Sequence, residues 1–333
     1  MIADISGGRS GHRSVATTPG GALPAQRQKR RRSLGVKTGK RLTPLLLLLP
    51  AAAVYAIFTV YPVFRQFDVS FFNWQVLPGA KSPFVGWSNF THIFQDPEVR
   101  TAAFNTLLYI VITIPAQMAL GLFAAAVLTD RLPGSALWRG LVFVPVVTSW
   151  VVVSYLFAYL FSPQGGLVDS LLGLFAGHAV HFNWLAHRWT TNVVIWLCGI
   201  WKGVGWSFII FLAALDGVPR DVIEAGRVAG ASDRRVWRSL IIPSIRSSIT
   251  FVLVLLVIGA ATVFQSVWLI TSSGAAGSAG SPYGSTHVLY TYAYQLAFTD
   301  FQFGYAAAIA SLLAVVLFGL SIAEIQVLKP RRE

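Results

Sequence analysis

Hydrophobic residues dominate six long stretches of the chain, 43–65, 104–128, 137–161, 190–214, 245–271 and 303–328. A helix needs about 20 apolar residues to cross a hydrocarbon core about 30 Å thick. Each stretch therefore predicts a transmembrane helix, and together they predict an all-α polytopic membrane protein with six spans. One connection is not a plain loop. Residues 217–243, between the fourth and fifth stretches, are polar and charged, and their order predicts two short helices with a corner between them. Pro219 suits a position just ahead of a helix, and Asp221 and Glu224 have the spacing of a capping box. Gly230 can take the left-handed conformation that ends a helix. Ser232 then caps a second helix, with Asp233 at its positive end, and Pro243 marks a break before the fifth span.

Composition fits this reading. Of 333 residues, 55% are hydrophobic and 12% charged, against about 25% charged in a soluble domain. A formal charge of +13 admits a nucleic-acid partner, but the placement of the charges argues against one. With the N-terminus inside, only Arg65, Lys81, Arg100 and Arg188 fall outside, and Lys202 lies within a span; the rest of the 26 Lys and Arg are inside. That asymmetry orients a membrane protein. It puts both termini and the 217–243 hairpin in the cytoplasm and gives the positive charge a use other than nucleic acid. Residues 1–41 are small, polar and basic, and are expected to be a disordered basic cytoplasmic segment. Its run Arg27, Lys29, Arg30, Arg31, Arg32 reads as an orientation signal rather than a lipid or nucleic-acid patch, and no cleavage site follows the first apolar run. Phe71, Phe72, Trp74, Phe84, Trp87 and Phe90, in the first external loop, suit the headgroup belt.

The chemistry is sparse. Cys198 lies in an apolar run and supports neither a disulfide framework nor a metal cluster. His178, His181 and His187 are spaced by three and six with only Asp169 nearby, which falls short of a metal-ligand set. There is no Gly-x4-Gly-Lys-Ser/Thr, no Gly-x-Ser-x-Gly and no His-Glu-x-x-His, so the chain is expected to be neither an ATPase nor another enzyme. No Asp or Glu stands at mid-span, where ion-coupled carriers place their relays, so the energy is expected from elsewhere. Lys202 is the exception, a lysine deep in the fourth span that costs about 2.5–3.5 kcal/mol unless it snorkels or faces water. With Trp201 and Trp206 beside it, and Thr262 and Gln265 in the fifth span, it outlines a candidate substrate path suited to a sugar, which needs stacking faces and hydrogen-bond partners together. A lysine paired with a backbone carbonyl is the equal alternative.

The hairpin carries a family resemblance. Glu224-Ala225-Gly226, three residues, Gly230, nine residues, Leu240-Ile241-Ile242-Pro243 resembles the cytoplasmic Glu-Ala-Ala loop of ABC importer permeases, with Gly226 in place of the second Ala and Ala229 where an Asp often stands. Leu47-Leu48-Leu49-Pro50, Tyr61-Pro62, Ser70-Phe71-Phe72, Phe84 to Phe90, Asp96, Asn105-Thr106, Ser285-Thr286 and Phe303-Gly304-Tyr305 resemble the carbohydrate-uptake class, so the likeness spans about 42–328. It implies a bacterial inner-membrane, multi-pass permease domain over 42–333 that takes in a mono-, di- or oligosaccharide or a glycerol phosphate ester. It also implies a second homologous permease, two ATP-binding cassette subunits that bind ATP and magnesium, and an extracytoplasmic solute-binding protein, with no cofactor in this chain. The coupling-helix hairpin would be a lever docked on the ATPase through Glu224, Ala225, Gly226, Gly230, Val236, Leu240 and Pro243, with apolar neighbours Val222, Ile223 and Val228, driving alternating access. The competing reading is a secondary carrier or channel with a folded cytoplasmic loop.

Overall fold

The computed structural model describes residues 39–76, 79, 81–129, 134–273 and 279–328. The expected disordered segment 1–41 lies almost wholly outside them. Among the described residues all regular structure is helical, apart from one isolated bridge between Phe72 and Phe84. The chain divides after Ala56 into two units. The first contains helix α1 (Gly39–Tyr55).

The second unit carries the remaining elements. They are α2 (Tyr61–Val69), α3 (Ser88–Gln95), α4 (Pro97–Thr129), α5 (Ser135–Val147), α6 (Trp150–Leu160), α7 (Leu167–Ala176), α8 (Arg188–Asp216), α9 (Arg220–Val228), α10 (Asp233–Val236), α11 (Ile242–Ser244), α12 (Arg246–Ala261), α13 (Gln265–Ser272), α14 (Leu289–Phe298) and α15 (Phe303–Leu328). Among the described residues, five stretches are long and apolar enough to cross a membrane: Leu47–Val69, Pro97–Thr129, Arg188–Asp216, Arg246–Ser272 and Phe303–Glu324. The expected third span, 137–161, is not one straight helix. It is α5 and α6, bent by 98°, and counts as a sixth crossing only if the pair is taken together. Thr148 and Ser149 are extended between the two halves. The signal was present in Pro145, which cannot donate to the helix ladder.

The main interface joins α4 and α8, which run parallel. Gly199, Gly203 and Ser207 recur every fourth residue on α8, so they share one face, and they meet Tyr109, Gln117 and Gly121 of α4 in the same order. A Cβ on Gly199 or Gly203 would overlap the Tyr109 hydroxyl or the Gln117 amide. This is the small-residue packing that lets helices approach closely where no hydrophobic driving force exists between them.

At the end of the bundle where α4 and α15 begin, side-chain hydrogen bonds tie distant segments together. Asp96 accepts from the N–H groups of Glu98 (2.8 Å) and Val99 (3.4 Å) at the start of α4, and from the hydroxyls of Tyr305 (2.8 Å) and Tyr292 (3.2 Å). Burial pushes its carboxyl up, but the bonds from Tyr305, the two N–H groups and Tyr292 outweigh burial and hold it below the usual carboxylate value. The Asn105 amide donates to the carbonyls of Ser285 and His287, each at 2.8 Å, and its oxygen accepts from Arg188 at 3.0 Å. Asn89 donates to the carbonyls of Ser70 (2.8 Å) and Phe72 (3.1 Å), and Gly304 lies so close to the Phe72 carbonyl that no Cβ fits. The segments quoted for the resemblance at Ser70, Asp96, Asn105, Ser285 and Tyr305 thus supply one set of fastenings.

Candidate functional site

Two regions are assembled by this frame, a hairpin and a cavity. In the hairpin, α9 ends in a Schellman motif. The Ala231 N–H donates to the Gly226 carbonyl (3.0 Å) and the Gly230 N–H to that of Arg227 (2.9 Å), with Gly230 at φ +81°. The expected left-handed corner is therefore at Gly230. The expected capping box is not formed. Pro219 itself occupies the N-cap, so Asp221 is already inside the first turn and its side chain caps nothing. Ser232 occupies the N-cap of α10, but its side chain makes no capping bond; its carbonyl takes the Val236 N–H at 2.9 Å. Pro243 does not break the chain sharply. A π-helical turn, Trp237–Ile241, leads into α11, and the helix pauses at Ile245.

The hairpin has two faces. Gly226, Val236 and Leu240 face inward with Ile223, and Val236 joins Phe208, Phe211, Leu215 and Ile245 in a core that fixes the hairpin to the ends of α4, α8 and α12. Glu224, Ala225 and Pro243 are exposed, as are Val222 and Val228, the last at 90%. The expected outward apolar set Val222, Ile223, Val228, Val236 and Leu240 is corrected accordingly. Three of its members, Ile223, Val236 and Leu240, pack the hairpin against its own chain. Glu224 also lines an open polar groove of about 560 Å³ with Asp216, Arg220, Arg227 and Trp237. Gly226 is explained by Leu240, since a Cβ there would lie 2.7 Å from Leu240 Cδ1.

The cavity, about 420 Å³, lies between α4, α8 and α12. Lys202, Trp206, Thr262 and Gln265 line it, together with Tyr109, Gln117, Trp150 and Ser207. Trp201 does not. One residue along a helix is a turn of about 100°, so Trp201 and Lys202 cannot share a face, and Trp201 packs near Phe157 at 6.1 Å between ring centroids. Lys202 is only 4% exposed. Its ammonium donates to the carbonyls of Pro145 and Thr148 and to the Thr148 hydroxyl (3.2 Å), with the Trp150 ring 5.4 Å away. These contacts fit the carbonyl-paired alternative: Lys202 satisfies carbonyls freed where α5 ends, at the negative end of that helix, while still lining the cavity. The cavity also borders the pause between α12 and α13, where Thr262 and Gln265 sit. Interrupted helices at membrane depth are tolerated where they are buried in protein or line a cavity.

The polar groups left for a ligand are Gln117, whose amide donates to the Gly199 carbonyl at 3.1 Å while its oxygen stays available, the unpartnered Ser207 hydroxyl, Thr262 and Gln265. Tyr109, Trp150 and Trp206 supply ring surface. Tyr109 and Trp150 escaped sequence reading because neither stands near Lys202 in the chain; the four-residue repeat Gly199, Gly203, Ser207 was the available pointer to α4 as the facing wall.

Residues 117–332 match the family model described as binding-protein-dependent transport system inner membrane component. The probable ABC transporter permease protein YurN of Bacillus subtilis is 30% identical over 295 residues, 88% of this chain and 98% of that protein. The lactose transport system permease protein LacF of Rhizobium radiobacter is 29% identical over 290 residues, 86% of this chain and 94% of that one. A bacterial alginate ABC transporter, solved with an alginate pentasaccharide-bound periplasmic protein, contains a chain that superposes with a TM-score of 0.75 at 20% identity, covering 87% of this chain and 95% of that one; the fold is shared. With a family match over most of its length and a relative aligned nearly end to end, this multi-pass chain belongs to the inner-membrane components of binding-protein-dependent transport systems.

Proposed function

We propose that this chain is one of two different permease subunits of an ABC importer that brings a sugar into the cytoplasm. The observation that carries the reading is the two-faced hairpin, fastened to α4, α8 and α12 on one side and presenting Glu224, Ala225, Val222 and Val228 on the other. An ATP-binding cassette subunit would take the exposed face. ATP and magnesium would be held there, two such subunits serving the two permeases. Closure of the ATPase pair would move the hairpin, and with it the inner ends of the three helices that wall the cavity. The excess of Lys and Arg on one side supports a cytoplasmic hairpin and cytoplasmic termini. An extracytoplasmic solute-binding protein would deliver the cargo to the opposite mouth.

A sugar is favoured by the cavity, where Trp206, Trp150 and Tyr109 offer ring faces and Gln117, Ser207, Thr262 and Gln265 offer hydrogen bonds. The names of the relatives, lactose for one and alginate for another, agree with that class. Lys202 contributes through the bend. The test is Glu224→Lys in the assembled transporter reconstituted in liposomes. Sugar uptake should be lost and ATP hydrolysis should no longer respond to the loaded binding protein, while the chain inserts normally. Uptake at the unaltered level, or uptake by this chain with no ATPase present, overturns the reading.

A further inference from the structure

A second cavity, about 280 Å³, lies between α3, α4, α14 and α15 and shares no lining residue with the one lined by Lys202. Its back wall is α15, where Ile309, Leu312, Leu313 and Val316 recur at the spacing of one helical face. Val99 and Ala103 of α4 form a side wall, and Arg100 stands at the mouth. The lining is almost wholly apolar apart from Arg100, which is exposed and forms no ion pair among the described residues. Helix α3 fixes the depth of the mouth. Trp87 and Phe94, one before its start and one near its end, are 68% and 74% exposed, and exposed aromatics at a span terminus mark the headgroup level. Val316 lies 13 residues into α15, about 20 Å from its start at 1.5 Å per residue, so the groove descends from that level toward the bilayer centre.

We propose that this groove is a binding site for one glycerophospholipid of the outer leaflet, with its phosphate on Arg100 and one acyl chain lying along Ile309, Leu313 and Val316. A guanidinium at the headgroup level recognises a phosphate diester as a fork of donors, and an apolar trench open to the lipid-facing side takes a hydrocarbon chain. The nearest carboxylates do not neutralise Arg100. Asp96 is engaged by Tyr305 and Tyr292, and among the described residues neither Glu98 nor Asp96 forms an ion pair.

The test is native mass spectrometry of the purified full-length chain titrated with phosphatidylglycerol, comparing the unaltered protein with Arg100→Gln and Ala103→Phe. The unaltered protein should retain one lipid more tightly than the rest. Arg100→Gln should weaken that lipid about fivefold, the contribution of one basic residue at a lipid surface. Ala103→Phe should abolish it by filling the trench, and inorganic phosphate should not displace it. Equal retention by all three proteins overturns the proposal. So does displacement by inorganic phosphate, which would make the site a free-anion site. Loss of the lipid when the sister permease assembles would assign the groove to that interface and overturn it as well.

Discussion

The Lys202 ammonium donates to the carbonyl oxygen of Pro145, across the gap between α8 and the end of α5. With the Thr148 carbonyl as a second acceptor, this contact closes the 98° bend of the α5–α6 pair. Lys202→Met keeps most of the length of the side chain and removes the donors. The carbonyls at the bend then lose their charged donor, at a cost of about 1–3 kcal/mol. A lower melting temperature is expected, measured by thermal unfolding in detergent, together with reduced maximal uptake. The sugar concentration giving half-maximal uptake should change little. A large rise in that concentration with an unchanged melting temperature would show instead that Lys202 binds cargo directly.

Gly121 on α4 faces the backbone of α8. A Cβ there would lie 2.5 Å from Ser207 Cβ and 2.9 Å from the Phe208 nitrogen. A backbone atom cannot rotate away, so Gly121→Ala must push the two helices apart. Overpacking of this kind costs about 1–3 kcal/mol. Because the same helices wall the cavity, the variant should lose thermal stability and uptake together. Gly140 is the control. A Cβ there meets nothing within 4 Å, and Gly140→Ala should leave both measurements unchanged or slightly improved through helix propensity.

The difference between these glycines shows what was legible in the chain. Apolar stretches of twenty or more residues gave the spans, because backbone hydrogen bonding in lipid leaves few alternatives to helix. Charge placement gave an orientation, and the spacing from Glu224 to Pro243 gave the hairpin and its corner at Gly230. What was not legible depended on partners remote in sequence. Pro145 hinted at a break, but the lysine that holds the bend at Thr148 is more than fifty residues away, so 137–161 read as one span. Trp201 looked equivalent to Trp206 until helix rotation separated them. Val236 and Leu240 looked like docking residues because apolar character alone does not say which face of a hairpin is covered. The four-residue repeat of small residues on α8 was visible, but the face opposing it could not be named without coordinates.

Asp96 offers a prediction in pH. Its folded-state value is below the ordinary 3.8, so the stability it contributes is fully present above 3.8 and is lost as pH falls through the lower, folded value. Tyr305→Phe removes the hydroxyl that counts most against burial. The carboxyl should then titrate closer to its ordinary value, so the variant should be less stable above 3.8 and should lose less stability as the pH falls. A scan of melting temperature between about pH 2 and pH 6 measures this. The Tyr305→Phe curve should lie furthest below that of the unaltered protein at the high end of this range and approach it toward the acid end, where Asp96 is protonated in both. A constant offset at every pH would mean that Tyr305 acts by packing alone.

Gly226 is where the hairpin departs from the Glu-Ala-Ala pattern, and Leu240 is the reason. Gly226→Ala gains about 1 kcal/mol of helix propensity, but its Cβ would stand 2.7 Å from Leu240 Cδ1. That atom is the end of a flexible side chain, so Leu240 can turn aside at the expense of its packing against Val236 and the hairpin core. The two effects oppose each other, and Gly226→Ala alone should change stability by less than about 1 kcal/mol. Leu240→Ala alone should destabilise, since it removes buried methyl groups, by about 2 kcal/mol for a residue that is only partly buried. The double variant should recover part of that loss, because the new Cβ at 226 fills space vacated at 240. A double-mutant cycle read by thermal unfolding gives the coupling directly, and a favourable coupling is the expected sign. Additive effects would mean that Gly226 and Leu240 do not touch, and the inward face of the lever would then need another account of how it is fastened to α8 and α12.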